Sequence, residues 1–564
     1  MLRWLSRRSR LGPGNRTMNG AEIIARALKD EGVDFIAGFP LNQVFDTAAA
    51  LGIRPIIART ERVAVNIADG YSRMTGGRRP GVVAFQYGPG SENAFSGIAQ
   101  AYSDSTPILC LAGATEIARF ASPPNFCAGS TYKPITKWSE TISHPLQTAQ
   151  MVQHAMALLR SGRGGPVLLE LPSDVLLADT GAASISYVKQ ASHRIQGGDP
   201  NDVEALADAI VNATCPVLYA GQGVLFAEAW DELKALAEAT GMPVMTSLNG
   251  KSGFPENHPL SLGAANGFSC SDGVAHFLKH ADLIVGVGTS FTISKFIAPI
   301  PAGKVIAQIV NDERDLSKDY PTSLAVIGDA KIVVRQLAEA LRDRRFKPFQ
   351  DTVTTVKSLK EAFLGRWKGK LTSDEAPINP YRLIWELMNF VDRDRTVVTH
   401  DAGSPRDQMV PFYESVSPRT YLSWGKSTPL GAGLGLIMGA KLARPDWLAV
   451  NVMGEAAFGM VGMDFETAVR ERIPILTVVI NNGRMGAYSI KQPVAAKRYG
   501  LHKLGGNYSK VAQALGGHGE RLDDPAKLTA TLKRCIAKVE SGTPVLLEAM
   551  CCEETALADA KSRH

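Results

Sequence analysis

The sequence lacks the features of several protein classes. No stretch of its 564 residues approaches the roughly 18 uninterrupted apolar residues that span a membrane, so we expect no membrane contact. Its seven cysteines have no CxxC spacing, which favours reduced residues in a cytoplasmic protein over disulfides or zinc ligands. The net charge of +6 is small for this length and argues against a nucleic-acid partner.

The remaining composition is that of a globular protein. Hydrophobic residues make up 45% and charged residues 21% of the chain, close to the averages of soluble domains. The length predicts three or four domains. Residues 1–17 contain five arginines and neither lysine nor acid, which faintly resembles a mitochondrial targeting peptide. We favour a disordered basic extension, with structure beginning at Met18, and leave targeting open.

Short apolar runs alternate with helical patterns in three parts of the chain. This alternation is typical of βαβ units and of parallel sheets covered by helices on both faces. We therefore predict the α/β class, with three doubly wound parallel-sheet domains near residues 18–188, 200–342 and 376–555. The runs lie at residues 81–85, 107–112, 166–171, 215–220, 243–246, 281–288, 304–310, 324–327, 396–399, 448–453, 473–480 and 544–548.

One short sequence occurs in both outer domains. Pro166-Val-Leu-Leu-Glu170 recurs as Pro544-Val-Leu-Leu-Glu548. The repeat hints that the first and third domains share a plan.

Polar residues come directly after two apolar runs of the third domain. Gly454-Glu455-Ala456 closes the first run, and Asn481-Asn482 closes the next. In an open parallel sheet, ligands bind at the carboxyl ends of the strands. Carboxylate and amide oxygens there suit Mg²⁺, which takes few protein ligands and completes its shell with phosphate and water.

Two motifs stand out in the first domain. Glu61 comes after the apolar run 55–58 and begins a helical pattern, where its carboxylate would be partly buried beside the helix macrodipole. Gly88-Pro89-Gly90 comes after the run 81–85 and predicts a tight turn that allows close backbone approach. Either feature alone is common in α/β proteins.

Together these motifs resemble the thiamine-diphosphate-dependent enzymes of the acetolactate synthase-like family. The resemblance extends from Met18 to Glu548 and includes Thr60-Glu61-Arg62, residues 68–73, the segment from Gly88 to Asn93, and the two acidic and amide motifs of the third domain. It implies a pyrimidine-binding, a central and a diphosphate-binding domain, and thiamine diphosphate and Mg²⁺ as cofactors.

The resemblance also implies roles for single residues. Glu61 would hydrogen-bond N1′ of the aminopyrimidine and favour the imino tautomer of its 4′-amino group. Leu430 would lie under the cofactor and bend it, with the Thr428 carbonyl accepting from the 4′-amino group. The metal ligands would be Glu455, Asn482 and the main-chain carbonyl of Arg484. Further cofactor contacts would come from Gly88, Pro89, Gly90, Asn93, Gly403, Gly454 and Ala456.

The chain departs from the family at the metal motif. Family members have Asp where this chain has Glu455, and usually Gly where it has Ala456. The added methylene moves the carboxylate by roughly 1.5 Å, whereas Mg²⁺ demands near-ideal octahedral geometry. We expect retained but weaker or more metal-permissive binding, with Asp464 a poorer substitute ligand. The family glutamine near Pro123-Pro124 is also replaced, which weakens transfer of substrate specificity.

His400 is a second candidate catalytic residue. It ends the apolar run 396–399 in the cofactor half, where a histidine can relay protons. A local loop hydrogen bond is an equal alternative. In the central domain, Gly286-Val287-Gly288 is a weak dinucleotide signal, so we expect a structural central domain without FAD, while leaving FAD open.

Three functions are compatible with these residues. The leading one is decarboxylation of a 2-oxo acid, with or without carboligation to a second carbonyl compound. A C–C lyase or hydrolase of acyloin, dione or acyl-CoA substrates is the second, and a catalytically silent regulatory subunit is the third. The resemblance places the cofactor between the first domain of one chain and the third domain of another. It thus implies a homodimer or homotetramer.

Overall fold

A computed structural model describes residues 18–120, 122–181, 187–189, 195–344, 346–486 and 488–558. The predicted basic extension of residues 1–17 lies outside these ranges. Within them the protein forms three six-stranded sheets, and every pair of neighbouring strands is parallel. No helix of the described part is long and apolar enough to cross a bilayer.

The first sheet has the strand order β2-β1-β3-β4-β6-β5. Its first helix begins with a capping box, since Asn19 accepts from the Glu22 amide and Glu22 accepts from the Asn19 amide. The elements are α1 Gly20–Asp30, β1 Phe35–Gly38, α2 Asn42–Ala50, β2 Arg54–Ile57, α3 Glu61–Met74, β3 Gly81–Phe85, α4 Pro89–Ser103, β4 Ile108–Ala114, α5 Ala128–Thr131, β5 Trp138–Thr141, α6 Thr148–Leu159, β6 Val167–Pro172 and α7 Ser173–Leu177.

The second sheet has the order β12-β11-β10-β7-β8-β9, with buried apolar clusters on its faces. A long charged helix, α13, then leads to the third part of the chain. The elements are α8 Pro200–Asn212, β7 Pro216–Ala220, α9 Gln222–Ala227, α10 Trp230–Thr240, β8 Val244–Thr246, β9 Ser261–Ala264, α11 Asp272–His280, β10 Leu283–Val287, β11 Val305–Val310, β12 Leu324–Ile327, α12 Ala330–Asp343 and α13 Thr352–Leu371.

The third sheet has the order β14-β13-β15-β16-β18-β17, which repeats the plan of the first sheet. The elements are α14 Pro380–Phe390, β13 Thr396–His400, α15 Ser404–Met409, β14 Tyr421–Leu422, α16 Ala432–Ala443, β15 Leu448–Gly454, α17 Glu455–Val461, α18 Phe465–Arg470, β16 Leu476–Asn481, α19 Tyr488–Lys491, α20 Pro493–Tyr499, α21 Tyr508–Ala514, β17 His518–Leu522, α22 Leu528–Glu540 and β18 Val545–Met550.

The predicted α/β class with three parallel-sheet domains is confirmed. Each sheet lies within one predicted domain, although the domain boundaries stay predictions. The apolar runs found most central strands of each sheet. They missed the short strand β1 and four edge strands, β5, β9, β14 and β17, because a strand that is short or partly solvated carries no long apolar run.

The first and third domains share one hydrophobic core, built around α3 and α16. The two helices run in the same direction and touch through glycines. A Cβ at Gly70 would overlap the carbonyl oxygen of Leu436, and one at Gly439 would overlap the carbonyl oxygen of Ile67. Glycine at these crossings lets the backbones approach more closely than any side chain would allow, so the starts of both helices lie together.

We expect Gly439→Ala to destabilise the protein by about 3 kcal/mol, because the added methyl group must push α16 away from α3. Gly365→Ala is the matched control. Gly365 also lies inside a helix, but a Cβ there would meet no heavy atom within 4 Å, so alanine should stabilise by about 0.5–1 kcal/mol. Denaturant unfolding of both variants checks this, and equal behaviour would contradict the close-packed crossing.

Candidate active site

Glu61 is the first residue of α3 and is buried, with 7% of its surface exposed. Thr60 caps the helix by accepting from the Val63 amide. The Glu61 carboxylate therefore lies at the positive end of the helix. Tyr132 lies nearby: its pKa is raised by burial first and then by the Cys110 and Glu61 charges. Its hydroxyl donates to the Ser91 carbonyl of α4.

The residues just before Glu61 are held by the third domain. Asp464, fully buried, accepts from the Arg59 amide at 2.7 Å and from the Thr60 hydroxyl at 2.9 Å. Burial raises the pKa of Asp464, and these hydrogen bonds oppose the rise. Asp464 was predicted as a poor substitute metal ligand. Its described contacts instead make it an anchor that fixes where α3 begins.

The predicted glycine turn lies beside Glu61. Gly88 has φ +61° and ψ −114° and precedes α4, which begins at Pro89. A Cβ at Gly90 would come within 3.3 Å of the Glu61 carboxylate. The structure thus brings Glu61 and the turn together, while Asn93 is exposed on α4.

A second buried carboxylate shapes the start of α16. Asp401 accepts from the amides of Ala402, Gly431 and Gly433 at 2.8–3.0 Å. Burial raises its pKa to about 6. Leu430 is partly exposed at this turn, and its carbonyl accepts from the Arg62 guanidinium at 2.9 Å. The residue after Glu61 therefore contacts Leu430 directly.

Two other predicted residues lie near this turn. Thr428 is partly exposed two residues before Leu430. Gly403, with φ +91° and ψ −146°, is exposed just before α15.

The predicted metal residues meet at the carboxyl ends of β15 and β16. Gly454 precedes α17, and Glu455 is its first residue, with 3% of its surface exposed; Ala456 is partly exposed. Glu455 Oε1 accepts from the Arg484 amide at 2.8 Å and from the Asn482 amide at 3.2 Å. Burial raises the pKa of Glu455, and these amides oppose the rise.

These residues fit a divalent cation bound with a diphosphate. Glu455 uses one carboxylate oxygen for the loop amides, which leaves its other oxygen for an ion. Among the described residues, no group of three or more His, Cys, Asp or Glu side chains could hold a metal. The site offers the Glu455 carboxylate, the side-chain oxygen of Asn482 and the main-chain carbonyl of Arg484. This set suits Mg²⁺ when phosphate and water complete the shell.

His400 is buried with no exposed surface. Its ring stacks on Trp424 at 5.4 Å, and Nε2 lies 3.3 Å from the Ser423 hydroxyl. Burial and the Arg406 charge lower its pKa well below the usual value. The His400 imidazole is enclosed by the chain, so no part of its surface is exposed to a ligand in this structure. A catalytic role for His400 stays a prediction.

The central domain borders a cavity of about 590 Å³ between the three domains. Gly288 and Asp329 line it from the central domain, Arg163 from the first and Lys426 from the third. Burial first, and then the Arg163 charge, lower the pKa of Lys426 to about 8. The cavity lies beside the predicted glycine motif, and the absence of FAD stays a prediction.

Sequence reasoning missed Asp401 and named Asp464 only as a poorer substitute metal ligand. Asp401 binds amides 30 and 32 residues away, and Asp464 binds an amide 405 residues away, so no local spacing marks these contacts. Glu548 was noticed as part of the repeat but received no role. It accepts from the Asn481 side chain, next to the Asn482–Arg484 loop.

Three family models match the chain in order. Residues 18–131 match the N-terminal TPP binding domain of thiamine pyrophosphate enzymes, residues 203–337 match their central domain, and residues 401–549 match their C-terminal TPP binding domain. Thiamine pyrophosphate is another name for thiamine diphosphate.

Curated relatives match over almost the whole chain. The chain is 29% identical to the probable acetolactate synthase large subunit of Methanococcus aeolicus, over 92% of this chain and 90% of that protein. It is 29% identical to the acetolactate synthase isozyme 3 large subunit of Escherichia coli, over 94% of each. Identity to the acetolactate synthase large subunit of Lactococcus lactis is 28%, over 94% and 92%. The chain therefore belongs to the thiamine-diphosphate-dependent enzymes and is acetolactate synthase-like.

Proposed function

We propose that this enzyme uses thiamine diphosphate and Mg²⁺ to act on a 2-oxo acid, by decarboxylation, carboligation or both. The observation that carries the proposal is the pair of preformed half-sites. One is the buried Glu61 carboxylate beside Gly90, and the other is Glu455 held against the Asn482–Arg484 loop. The acetolactate synthase relatives support the 2-oxo acid as substrate class.

Thiamine diphosphate, when bound, would supply the carbon nucleophile and the electron sink that this chemistry needs. The chain's own residues would orient it and manage one proton. Glu61 would share a proton with N1′ of the pyrimidine, and burial would keep water from competing for that proton. Leu430 would support the bent cofactor, while Asp401 fixes the turn that presents Leu430.

The structure favours a metal site that has kept its shape despite the longer acid. Glu455 accepts from the amides of Asn482 and Arg484, so its longer side chain is held against the loop. Asn482, Glu455 and the Arg484 carbonyl would hold Mg²⁺. This arrangement supports an active enzyme over a silent subunit. Identifying the products formed from 2-oxo acids and from acyloins would distinguish a decarboxylase from a lyase.

We expect Glu61→Gln to lower kcat by about 100-fold or more, because glutamine cannot share a proton with N1′. The measurement is turnover of a panel of 2-oxo acids with saturating thiamine diphosphate and Mg²⁺. Glu140→Gln, at a half-exposed position of the same domain, is the control and should keep wild-type turnover. Turnover of Glu61→Gln within a few-fold of wild type would contradict the role of Glu61.

We expect Glu455→Asp to keep or tighten Mg²⁺ binding, because the shorter side chain leaves more room for an ion beside the Asn482 amide oxygen. Glu455→Gln keeps the length, loses the charge and should weaken binding by about tenfold or more. Calorimetric titration of Mg²⁺ in the presence of thiamine diphosphate compares the three proteins. Equal affinity in wild type and Glu455→Gln would exclude Glu455 as a ligand.

We also propose that two or four copies assemble, with the cofactor between the first domain of one and the third domain of another. Large apolar side chains are exposed on the single chain, on elements that begin at the two half-sites. They are Phe95 and Tyr102 on α4, the helix that begins at the glycine turn, Met460 on α17, the helix that begins at Glu455, and Met463 just after α17. A second copy would cover them.

Light scattering during size-exclusion chromatography should give a dimer or tetramer. Phe95→Glu should shift the protein toward monomer and lower its activity, because a charge at a covered face costs desolvation. Val353→Glu, at an exposed site on α13, should leave the assembly unchanged. An active, monodisperse monomer of the wild type would contradict the shared site.

A further inference from the structure

The repeated pentapeptide places two glutamates at the same position of two sheets. Glu170 lies on β6 and Glu548 on β18, and each strand is second from the edge of its sheet. Both side chains are buried, with at most 1% of their surface exposed. The repeat therefore places a buried carboxylate in both halves of the chain.

In the first domain this carboxylate has a structural task. Glu170 accepts from the amides of Ala128 and Gly129 at 2.7 and 3.0 Å and from the Thr141 hydroxyl at 2.6 Å. All three donors belong to α5 and β5. Both oxygens are thus used to attach these elements to the sheet.

In the third domain, one carboxylate oxygen of Glu548 binds a different kind of partner. Glu548 Oε2 accepts from the Ser509 amide of α21 at 3.0 Å, as its counterpart does with α5. Glu548 Oε1 instead accepts from Asn481 Nδ2 at 2.8 Å. Asn481 is the last residue of β16 and directly precedes Asn482.

Asn481 carries this contact into the metal loop. Its Oδ1 accepts from the Gly483 amide at 3.0 Å, closing a tight turn in which Gly483 has φ +69°. The same turn is held from the other side by Glu455, through the amides of Asn482 and Arg484. Glu455 of α17 therefore binds the loop directly, and Glu548 of β18 binds it through Asn481.

We propose that Glu548 is a positioning residue of the Mg-diphosphate anchor, acting through Asn481; this rests on the proposed function. Its carboxylate can accept from both Ser509 and Asn481, so Asn481 must present its amide nitrogen to Glu548 and its oxygen to Gly483. That orientation fixes the conformation of the turn. The turn then fixes the positions of the Asn482 side-chain oxygen and the Arg484 carbonyl. Mutation of a residue that orients metal ligands in this way typically lowers metal affinity by about 10- to 100-fold.

The test compares Glu548→Gln with Glu170→Gln in the full-length protein. Glutamine has one acceptor, so at residue 548 its amide group must face a donor at Ser509 or turn Asn481 over and leave the Gly483 amide unpaired. We expect Mg²⁺ affinity, titrated calorimetrically with saturating thiamine diphosphate, to fall about tenfold or more in Glu548→Gln. Glu170→Gln should lower thermal stability about as much as Glu548→Gln does. Its Mg²⁺ affinity should equal that of the wild type.

A second variant separates positioning from general damage. In an Asn481→Ala background, Glu548→Gln should cause little further loss of Mg²⁺ affinity, because the two residues act in one chain of contacts. Additive losses, or an unchanged affinity in Glu548→Gln, would overturn the positioning role and leave the proposed function standing. Absence of Mg²⁺-dependent thiamine diphosphate binding in the wild type would overturn both.

Discussion

The structure depends on buried carboxylates that accept backbone amides. Asp401 binds the turn before α16, and Asp464 binds the residues before α3. Glu455 binds the Asn482–Arg484 loop, and Glu548 binds the Ser509 amide and the Asn481 side chain. A hydrogen bond to a charged acceptor contributes about 1.5–3 kcal/mol, and leaving such an acceptor unpaired costs more. Each acid therefore stabilises the arrangement of the segment that it binds.

The same interactions join the first and third domains of one chain. Asp464 belongs to the third domain but fixes the entry to α3, where the first domain presents Glu61. The glycine crossing of α3 and α16 brings the starts of both helices together, so that Arg62 reaches the Leu430 carbonyl. Residues of the candidate site that are distant in sequence are thereby placed by contacts between the two domains.

The repeat of the sheet plan shows how one scaffold supports two tasks. Glu170 and Glu548 occupy equivalent positions, yet the first only attaches neighbouring elements, whereas the second gives one oxygen to Asn481. One difference lies in the residue that ends the neighbouring strand β16, and another in Arg521, which replaces Thr141 on the edge strand and lies 3.9 Å from Glu548 Oε1. The side-chain amide of Asn481 at the end of β16 gives Glu548 a partner outside the elements that it attaches to the sheet.

Sequence alone was sufficient for the α/β class, most central strands and the family, because buried parallel strands are continuous apolar runs and because Glu61, the glycine turn and the Asn481-Asn482 motif are local patterns. It could not identify four of the edge strands, whose shortness or partial exposure removes that signal. Nor could it identify the buried hydrogen bonds of Asp401, Asp464 and Glu548. Their partners lie as far as 405 residues away, and only chain folding brings a carboxylate to an amide that it was never near in sequence.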